Sequence, residues 1–453
     1  MDPDLADSYD YHDERMGYKF VQSYAGSPGK VLVSMEVNVP SNYSDLFWLI
    51  LYLDGEPYAL YNYWEANESR YYGYEGIFNH TITFPRGLHS LGIELSGLAR
   101  NDIEPTLLLN DTRWYYYGAF EEETHAVRDF MANGCGTAIL GSEMDLTLDE
   151  WPTSYAEGDD DPMGVILEEW SRLMISGADI PSNASVRLSA SGPGTLVVDD
   201  VEIASLRLSL DGSDLTCRDV VSNGTYLLLN DGHHRMWNFT GLNGTSVHVT
   251  GGAYLEMHDS SVSATESWYG SYLSVSEATI TLSNITIGDE DGESLSVGVG
   301  RNGTFRIDNS SILGVGLGIF STEHTKRHLD VNATLTIEDC VFQGDGTLLS
   351  VHDSALGWVG NQTYRPESII QRNRFSGDGG RVLCQRHLLP WLFEDNVVDE
   401  GCSLYASYQL HWRWPEGKSS SDYRVDYLLD EEIVRLAESI LGYEWKSWDS
   451  IFA

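Results

Sequence analysis

Phe305-Arg-Ile-Asp-Asn309-Ser-Ser-Ile312 and Leu335-Thr-Ile-Glu-Asp339-Cys-Val-Phe342 are one phrase written twice: alternating apolar residues, an Asp or Asn, then an apolar residue two or three places on. Towards the N-terminus the phrase returns as Leu196-Val-Val-Asp-Asp200-Val-Glu-Ile203, Leu215-Thr-Cys-Arg-Asp219-Val-Val221, Leu255-Glu-Met-His-Asp259-Ser-Ser-Val262 and Leu282-Ser-Asn284-Ile-Thr-Ile287. Towards the C-terminus it reads Ile370-Gln-Arg-Asn373-Arg-Phe375 and Phe393-Glu-Asp-Asn396-Val-Val398, and weaker copies centre on Gly177 and Phe239. Steps between the marked positions run from 19 to 34 residues with a mean of about 24, the period of a stacked repeat. Each copy is rich in Val, Ile, Thr and Phe, alternates with period two and breaks at Gly, Asn or Asp, which describes short strands and turns rather than helices. Three short strands fill one period. Rungs of this kind bury alternate side chains in a shared interior and pair their backbones with the rungs on either side. The Asp or Asn suits the corner because it tolerates left-handed backbone and bonds the turn, so stacked corners should form a ladder.

In period and corner residues these copies resemble the right-handed parallel β-helix repeat of the pectate-lyase-like superfamily, over roughly half of the chain. The expected fold is all-β: about ten rungs of right-handed parallel β-helix, preceded by a small β-sandwich, with a short C-terminal helix. The resemblance implies, for enzymes on this scaffold, clustered Asp with Ca²⁺ and an Arg or Lys base, or two carboxylates acting across a glycosidic bond. Asp199-Asp200 looks like a fragment of the galacturonase-type acid pair, but no Gly-His-Gly or Arg-Ile-Lys follows, and Asp231-Gly-His-His-Arg235 is only a loose echo. Asp200 is also the corner of its own repeat. No catalytic residue is therefore assigned, and a polysaccharide lyase or glycoside hydrolase acting in a β-helix groove is the alternative reading.

The chain has 69 acidic against 27 basic residues, a formal charge of −42, with lysine only at 19, 30, 326, 418 and 446. Such a surface repels nucleic acid and anionic membranes, and suits an extracellular or cell-surface setting in high salt or with divalent cations. Of the 20 asparagines, 13 sit in Asn-x-Ser/Thr: Asn42, Asn67, Asn79, Asn110, Asn183, Asn223, Asn238, Asn243, Asn284, Asn302, Asn309, Asn332 and Asn361. That excess favours a secreted or surface glycoprotein, against the competing reading that β-helix turns are simply rich in Asn, Ser and Thr. The cysteines, Cys135, Cys217, Cys340, Cys384 and Cys402, have no metal spacing. Asp289-Glu-Asp291-Gly-Glu293 resembles half of a calcium loop but lacks the later bidentate Glu, so no cofactor is expected, with Ca²⁺ at Asp289, Asp291 and Glu293 the one metal the sequence suggests. No apolar run reaches the roughly 18 residues of a membrane span, and no signal-like stretch follows Met1, so any signal or anchor is expected to lie outside this chain.

In order, the sequence reads as a polar arm (1–27), a β-sandwich (28–112), a connector and N-terminal cap (113–172), the β-helix (173–410), and a C-terminal loop with a capping helix (411–453). Phe84-Pro-Arg-Gly-Leu-His-Ser-Leu-Gly-Ile-Glu-Leu95 resembles the late hairpin of immunoglobulin-like or fibronectin-like modules. The capping helix has Asp430 as N-cap, an apolar stripe at Leu429, Ile433, Leu436 and Ile440, and Gly442 as its stop. Aromatics crowd Tyr61, Tyr63, Trp64, Tyr71, Tyr72, Tyr74 and Trp114-Tyr-Tyr-Tyr117, where they suit either sugar rings or interior packing.

Arg365, Arg372, Arg374 and Arg381 fall where adjacent rungs would stack them about 4.8 Å apart, so they are the candidate ligand-binding residues, with an anionic glycan as ligand. Glu367, Asp378, Glu394 and Asp395 are interleaved, and local neutralisation is the competing reading. The functional expectation is a secreted or cell-surface acidic glycoprotein without catalytic activity, in a structural, adhesive or glycan-binding role, with anionic glycans or other envelope proteins as partners.

Overall fold

A computed structural model describes residues 17–39, 46–62, 74–98, 105–133, 136–150, 163–177, 180–263, 272–288, 295–314, 316–321, 334–351, 369–385 and 393–407. The chain divides into two compact units, Met1–Asp179 with Arg187–Val197 and Asp211–Asp214, and the remainder.

The first unit opens with seven strands: β1 (Gly17–Tyr24), β2 (Lys30–Val39), β3 (Leu46–Leu53), β4 (Glu56–Asn62), β5 (Tyr74–Thr83), β6 (Gly87–Leu98) and β7 (Pro105–Gly118). Strands β1-β2-β5 form one antiparallel sheet and β4-β3-β6-β7 another antiparallel run. Period-two alternation sends Val31, Val33, Met35, Val37 and Val39 of β2 inward, where they join Phe47, Leu49, Leu51, Leu91, Ile93 and Leu95 in one buried cluster. Each such side chain contributes about 1.5–3 kcal/mol relative to exposure. Phe84 and Tyr115 stack at 4.4 Å within it. Asp54 and Gly55 both take positive φ, 51° and 82°, the two-residue turn that matches strand twist between β3 and β4. Within the stretch 1–27 expected to be a polar arm, Gly17–Tyr24 is a strand that pairs residue for residue with β2. Its half-polar composition suits a strand with one wet face.

After β7 comes α1 (Thr124–Ala132), which buries Val127 and Met131. The end of β7 pairs in parallel with Thr137–Leu140, that strand with Met163–Leu167, and Asp145–Leu148 with Arg172–Ser176. Parallel stacking therefore begins at Thr137, inside the stretch expected to be a connector. Its corners are Glu143 and Trp170, both at φ 68°, so the Asp/Asn phrase is missing there. Glu168, fully buried, pins this region: its carboxylate accepts the N–H of Gly29 at 2.5 Å and of Ser142 at 3.2 Å. Burial raises the Glu168 carboxyl above its ordinary range. Burial, with the Glu168 charge behind it, pushes the Tyr117 phenol to about 12.

The second unit is a parallel β-helix of three ladders. The first runs from Ser205–Asp211 to Ser403–Ser407, the second from Asp214–Ser222 to Phe393–Glu394, and the third from Thr240–Gly241 to Val397–Val398. In-register columns fill the interior: Cys217, Met236, Met257, Leu282, Ile307, Ile337 and Ile370 on the second ladder, and Val262, Ile287, Ile312, Phe342, Phe375 and Val398 on the third. Phe342 and Phe375 stack at 4.7 Å. Burial pushes the Cys217 and Cys340 thiols up to about 12, so both behave as apolar filler rather than nucleophiles.

The corner between the second and third ladders is left-handed in rung after rung: Asp200, Asp219, Asn238, Asp259, Asn284, Asn309, Asp339, Arg372 and Asp395 all have φ between 48° and 56°. In three copies the left-handed corner lies one residue before the position the sequence marks: Asn238 rather than Phe239, Arg372 rather than Asn373, and Asp395 rather than Asn396. In the last two, both residues are polar; the first takes the outward corner and the second turns to the backbone. Asn373 is 1% exposed, accepts the Cys340 N–H at 2.9 Å and donates to the Ile337 carbonyl at 2.9 Å. Asn396 accepts the Asn373 N–H at 2.9 Å, and Ser260 and Ser310 serve Phe239 and Ile285 in the same way. Two polar ladders thus run along one corner, the outer one expected and the inner one not. The capping helix expected after residue 429 lies outside the described residues.

Candidate functional site

Rung stacking gathers charge on the second ladder and its corner. Arg306 donates through Nε to Asp308 at 2.9 Å and reaches Glu338 with Nη2 at 3.4 Å. Arg372 makes a two-pronged pair with Asp339, 2.8 Å on each prong, and also lies 3.4 Å from Glu338. Gln371 donates to Glu338 as well. Hydrogen bonds from Arg372 hold the Asp339 carboxyl below the usual range, and the bond that Arg306 donates to Asp308 raises its guanidinium. Arg374 donates to Asp399 at 3.0 Å. The same clasp recurs at Arg218–Asp199, 3.1 Å, and Arg235–Glu256, 3.4 Å. Apart from Arg306–Asp308, which lies within one strand, each of these pairs joins an arginine of one rung to a carboxylate of a neighbouring rung. Asp199, half of the acid pair singled out by sequence, is held this way, while Asp200 is a corner.

Of the candidate ligand residues, Arg372 and Arg374 therefore face their own chain's carboxylates. Arg381 is exposed at the start of Arg381–Gln385, and Arg365 lies outside the described residues. The candidate calcium ligands Asp289, Asp291 and Glu293 also lie outside them. Among the described residues no group of three His, Cys, Asp or Glu is placed to hold a metal. His234, within the loose echo of a catalytic motif, points into the interior between Leu215 and Leu255, its Nε2 2.9 Å from the Asp231 carbonyl.

A second cluster stands on the first ladder. His248 lies between Tyr226 and Tyr272, ring centroids 5.6 and 5.4 Å away, with Ser274 Oγ 2.8 Å from Nδ1 and Ser246 Oγ 3.3 Å from Nε2. Burial lowers its pKa, so the ring is neutral at neutral pH. Two hydroxyls take both nitrogens, leaving neither for an orienting carboxylate of the kind an activated serine needs.

Trp114-Tyr-Tyr-Tyr117 splits by alternation: Tyr115 and Tyr117 are buried, while Trp114 is 46% exposed. Of the crowded loop aromatics, Tyr61 is described and packs edge-on to Phe78 at 4.9 Å. Sequence reasoning missed the outer face of β3, β6 and β7. There Tyr52 lies opposite Gly92, where a Cβ would come 3.1 Å from the Tyr52 Cβ, and its hydroxyl donates to Glu94 Oε2 at 2.9 Å. Ser96 Oγ holds the other Glu94 oxygen at 3.3 Å. The signal was the unbroken run Phe47-Trp-Leu-Ile-Leu-Tyr52, in which the outward half is as apolar as the inward half.

Nine sequon asparagines fall among the described residues (Asn79, Asn110, Asn183, Asn223, Asn238, Asn243, Asn284, Asn302 and Asn309), and all are exposed. Asn238, Asn284 and Asn309 are left-handed corners, each followed by a buried residue and then by the Thr or Ser that opens the next strand. Corner chemistry alone writes Asn-x-Ser/Thr at these three. Nδ2 of Asn238 donates to Asp219 at 2.6 Å and Nδ2 of Asn284 to Asp259 at 2.5 Å.

The chain matches no family model and no curated protein. Among solved structures it is similar to the family 28 exopolygalacturonase of Yersinia enterocolitica, at 9% identity and a TM-score of 0.22, over 86% of this chain and 97% of that one. A likeness at that level identifies neither family nor activity.

Proposed function

We propose that this is a secreted or cell-surface acidic glycoprotein without catalytic activity, in which a parallel β-helix serves as a rigid scaffold for adhesion or glycan binding. The observation that carries this reading is the cross-rung clasp. Carboxylates along the stack are tied to arginines of neighbouring rungs at Asp199, Glu256, Glu338, Asp339 and Asp399. Groups so tied hold the stack together rather than flank a bond to be cut. An immunoglobulin-like or fibronectin-like identity for the N-terminal sheets belongs to the same proposal. Among the described residues no helix is long and apolar enough to cross a membrane.

Protease shaving of intact cells, followed by mass spectrometry of the natively expressed chain, tests compartment and modification together. The reading expects surface release and glycan mass on sequons such as Asn79, Asn110 and Asn183. An unmodified chain confined to the cell interior would overturn it.

The placement of Arg372 and Arg374 two residues apart at one corner of a rung favours one further reading, an anionic-glycan site at Arg365, Arg372, Arg374 and Arg381. The anion would have to take Arg372 from Asp339 and Arg374 from Asp399, so binding would be weak and salt-sensitive. Titration of sulfated or uronate oligosaccharides against the native chain and an Arg372→Ala, Arg374→Ala double variant tests it; equal affinity in both would dismiss the site.

A further inference from the structure

We infer that the outer face of β3, β6 and β7 is a neutral-glycan binding platform. This rests on the glycan-binding form of the reading above, and it moves the ligand from the arginines to the N-terminal unit. The face is built by register: Trp48 stands opposite Ser96, Ile50 opposite Glu94 and Tyr52 opposite Gly92, while on the far side of β6 Asn110 faces Glu94, Thr112 faces Gly92 and Trp114 faces Ser90. Phe47, Leu49 and Leu51 point the other way, into the core. Large aromatics are therefore turned outward along strands whose apolar needs are already met inside.

Tyr52 is set in place before any ligand arrives. The missing Cβ at Gly92 lets the ring lie close against β6, its Cδ2 3.5 Å from where that Cβ would be. Its hydroxyl is fixed by Glu94, and Glu94 is fixed in turn by Ser96. A ring locked by packing and by a hydrogen bond loses little entropy when a sugar face stacks on it. Trp114, 46% exposed, offers a second ring, and Ser90, Thr112 and Asn110 supply hydroxyl and amide groups at the rim.

Charge selects the ligand class. Glu94 is a carboxylate at the centre of the face, and the register partners around it include no Lys or Arg; Arg113 alternates to the other side, its guanidinium 4.3 Å over the Phe20 ring. An anionic sugar or an anionic lipid surface is repelled here, whereas a neutral sugar gives Glu94 a hydroxyl to accept. A protein partner fits less well, because a carboxylate held by Tyr52 and Ser96 and facing Asn110 sits where a protein interface would place its driest residues.

The test titrates neutral gluco-, xylo- and chito-oligosaccharides, with uronate oligosaccharides alongside, against the full native chain and its Tyr52→Ala, Tyr52→Phe, Trp114→Ala and Asn110→Gln variants, each checked for native melting behaviour. The platform predicts binding of at least one neutral series, a tenfold or greater loss in Tyr52→Ala, a smaller loss in Trp114→Ala, and near-native binding in Tyr52→Phe, which keeps the ring. Asn110 carries a sequon on this same face, so binding that appears only in Asn110→Gln also supports the platform, shielded in the native chain by the protein's own glycan. Neutral binding that Tyr52→Ala leaves intact, or uronate binding lost only in the Arg372 and Arg374 double variant, overturns the platform while leaving the glycan-binding reading standing. No binding of any series by native or Asn110→Gln protein overturns both.

Discussion

Asparagine does two different jobs in this chain, and the difference is measurable. Asn309 is an exposed corner at φ 48°, so Asn309→Ala loses mainly left-handed tolerance, about 1 kcal/mol. Asn373 is buried, its side chain serves the backbone of the preceding rung at Cys340 and Ile337 and meets the Asn396 side chain of the next, so Asn373→Ala strands donors and acceptors inside and should cost about 2–4 kcal/mol in denaturant unfolding. Equal costs would mean that the inner ladder is not holding the rungs. Glu168 gives a pH signature. Its folded pKa is raised by burial, so the neutral form is favoured in the fold. The group's contribution is fully present below the unfolded value of about 4.3 and is lost as pH rises through the raised folded value. The melting temperature of the native protein minus that of Glu168→Gln should therefore fall as pH climbs through this window; a pH-independent difference would contradict the assignment.

At the scale of the strand and turn, backbone approach decides what is tolerated. At Gly377, φ 143°, a Cβ would come 2.0 Å from the Gly344 carbonyl oxygen, whereas at Gly379, φ 85°, it would meet nothing within 4 Å. Gly377→Ala should cost about 2–4 kcal/mol and release hydrogen-exchange protection in the rungs from Ile369 onward, while Gly379→Ala should cost about 1 kcal/mol and leave protection in place. The repeat was legible because an outward Asp or Asn at φ near 50° leaves a mark in every rung that uses one. It failed where other residues fill that role, at Glu143 and Trp170, and it slipped by one where two polar residues adjoin, at Arg372-Asn373 and Asp395-Asn396. The candidate site was less legible. Clustered arginines could be read from the sequence, but their pairing with Asp339 and Asp399 depends on which rungs stack, and rung lengths vary. The outward Tyr52 was hidden because strand alternation cannot show itself when both faces are apolar.

Over the whole molecule, a formal charge of −42 makes the folded state repel itself, and ions at about 0.15 M screen over a length of only about 8 Å. Melting temperature should rise steadily from low to molar salt, with divalent cations acting at lower concentration; an unchanged value would show the acids already compensated. If the carboxylates of the β-helix are structural, as proposed, the protein binds polysaccharide without cutting it. The most direct measurement is product release: polygalacturonate and neutral polysaccharides incubated with the natively expressed chain, with and without Ca²⁺, and assayed for new reducing ends and unsaturated products. No release above a heat-treated control is expected, whereas release that disappears in Asp308→Asn or Glu338→Gln proteins of native stability would overturn the structural role of these carboxylates.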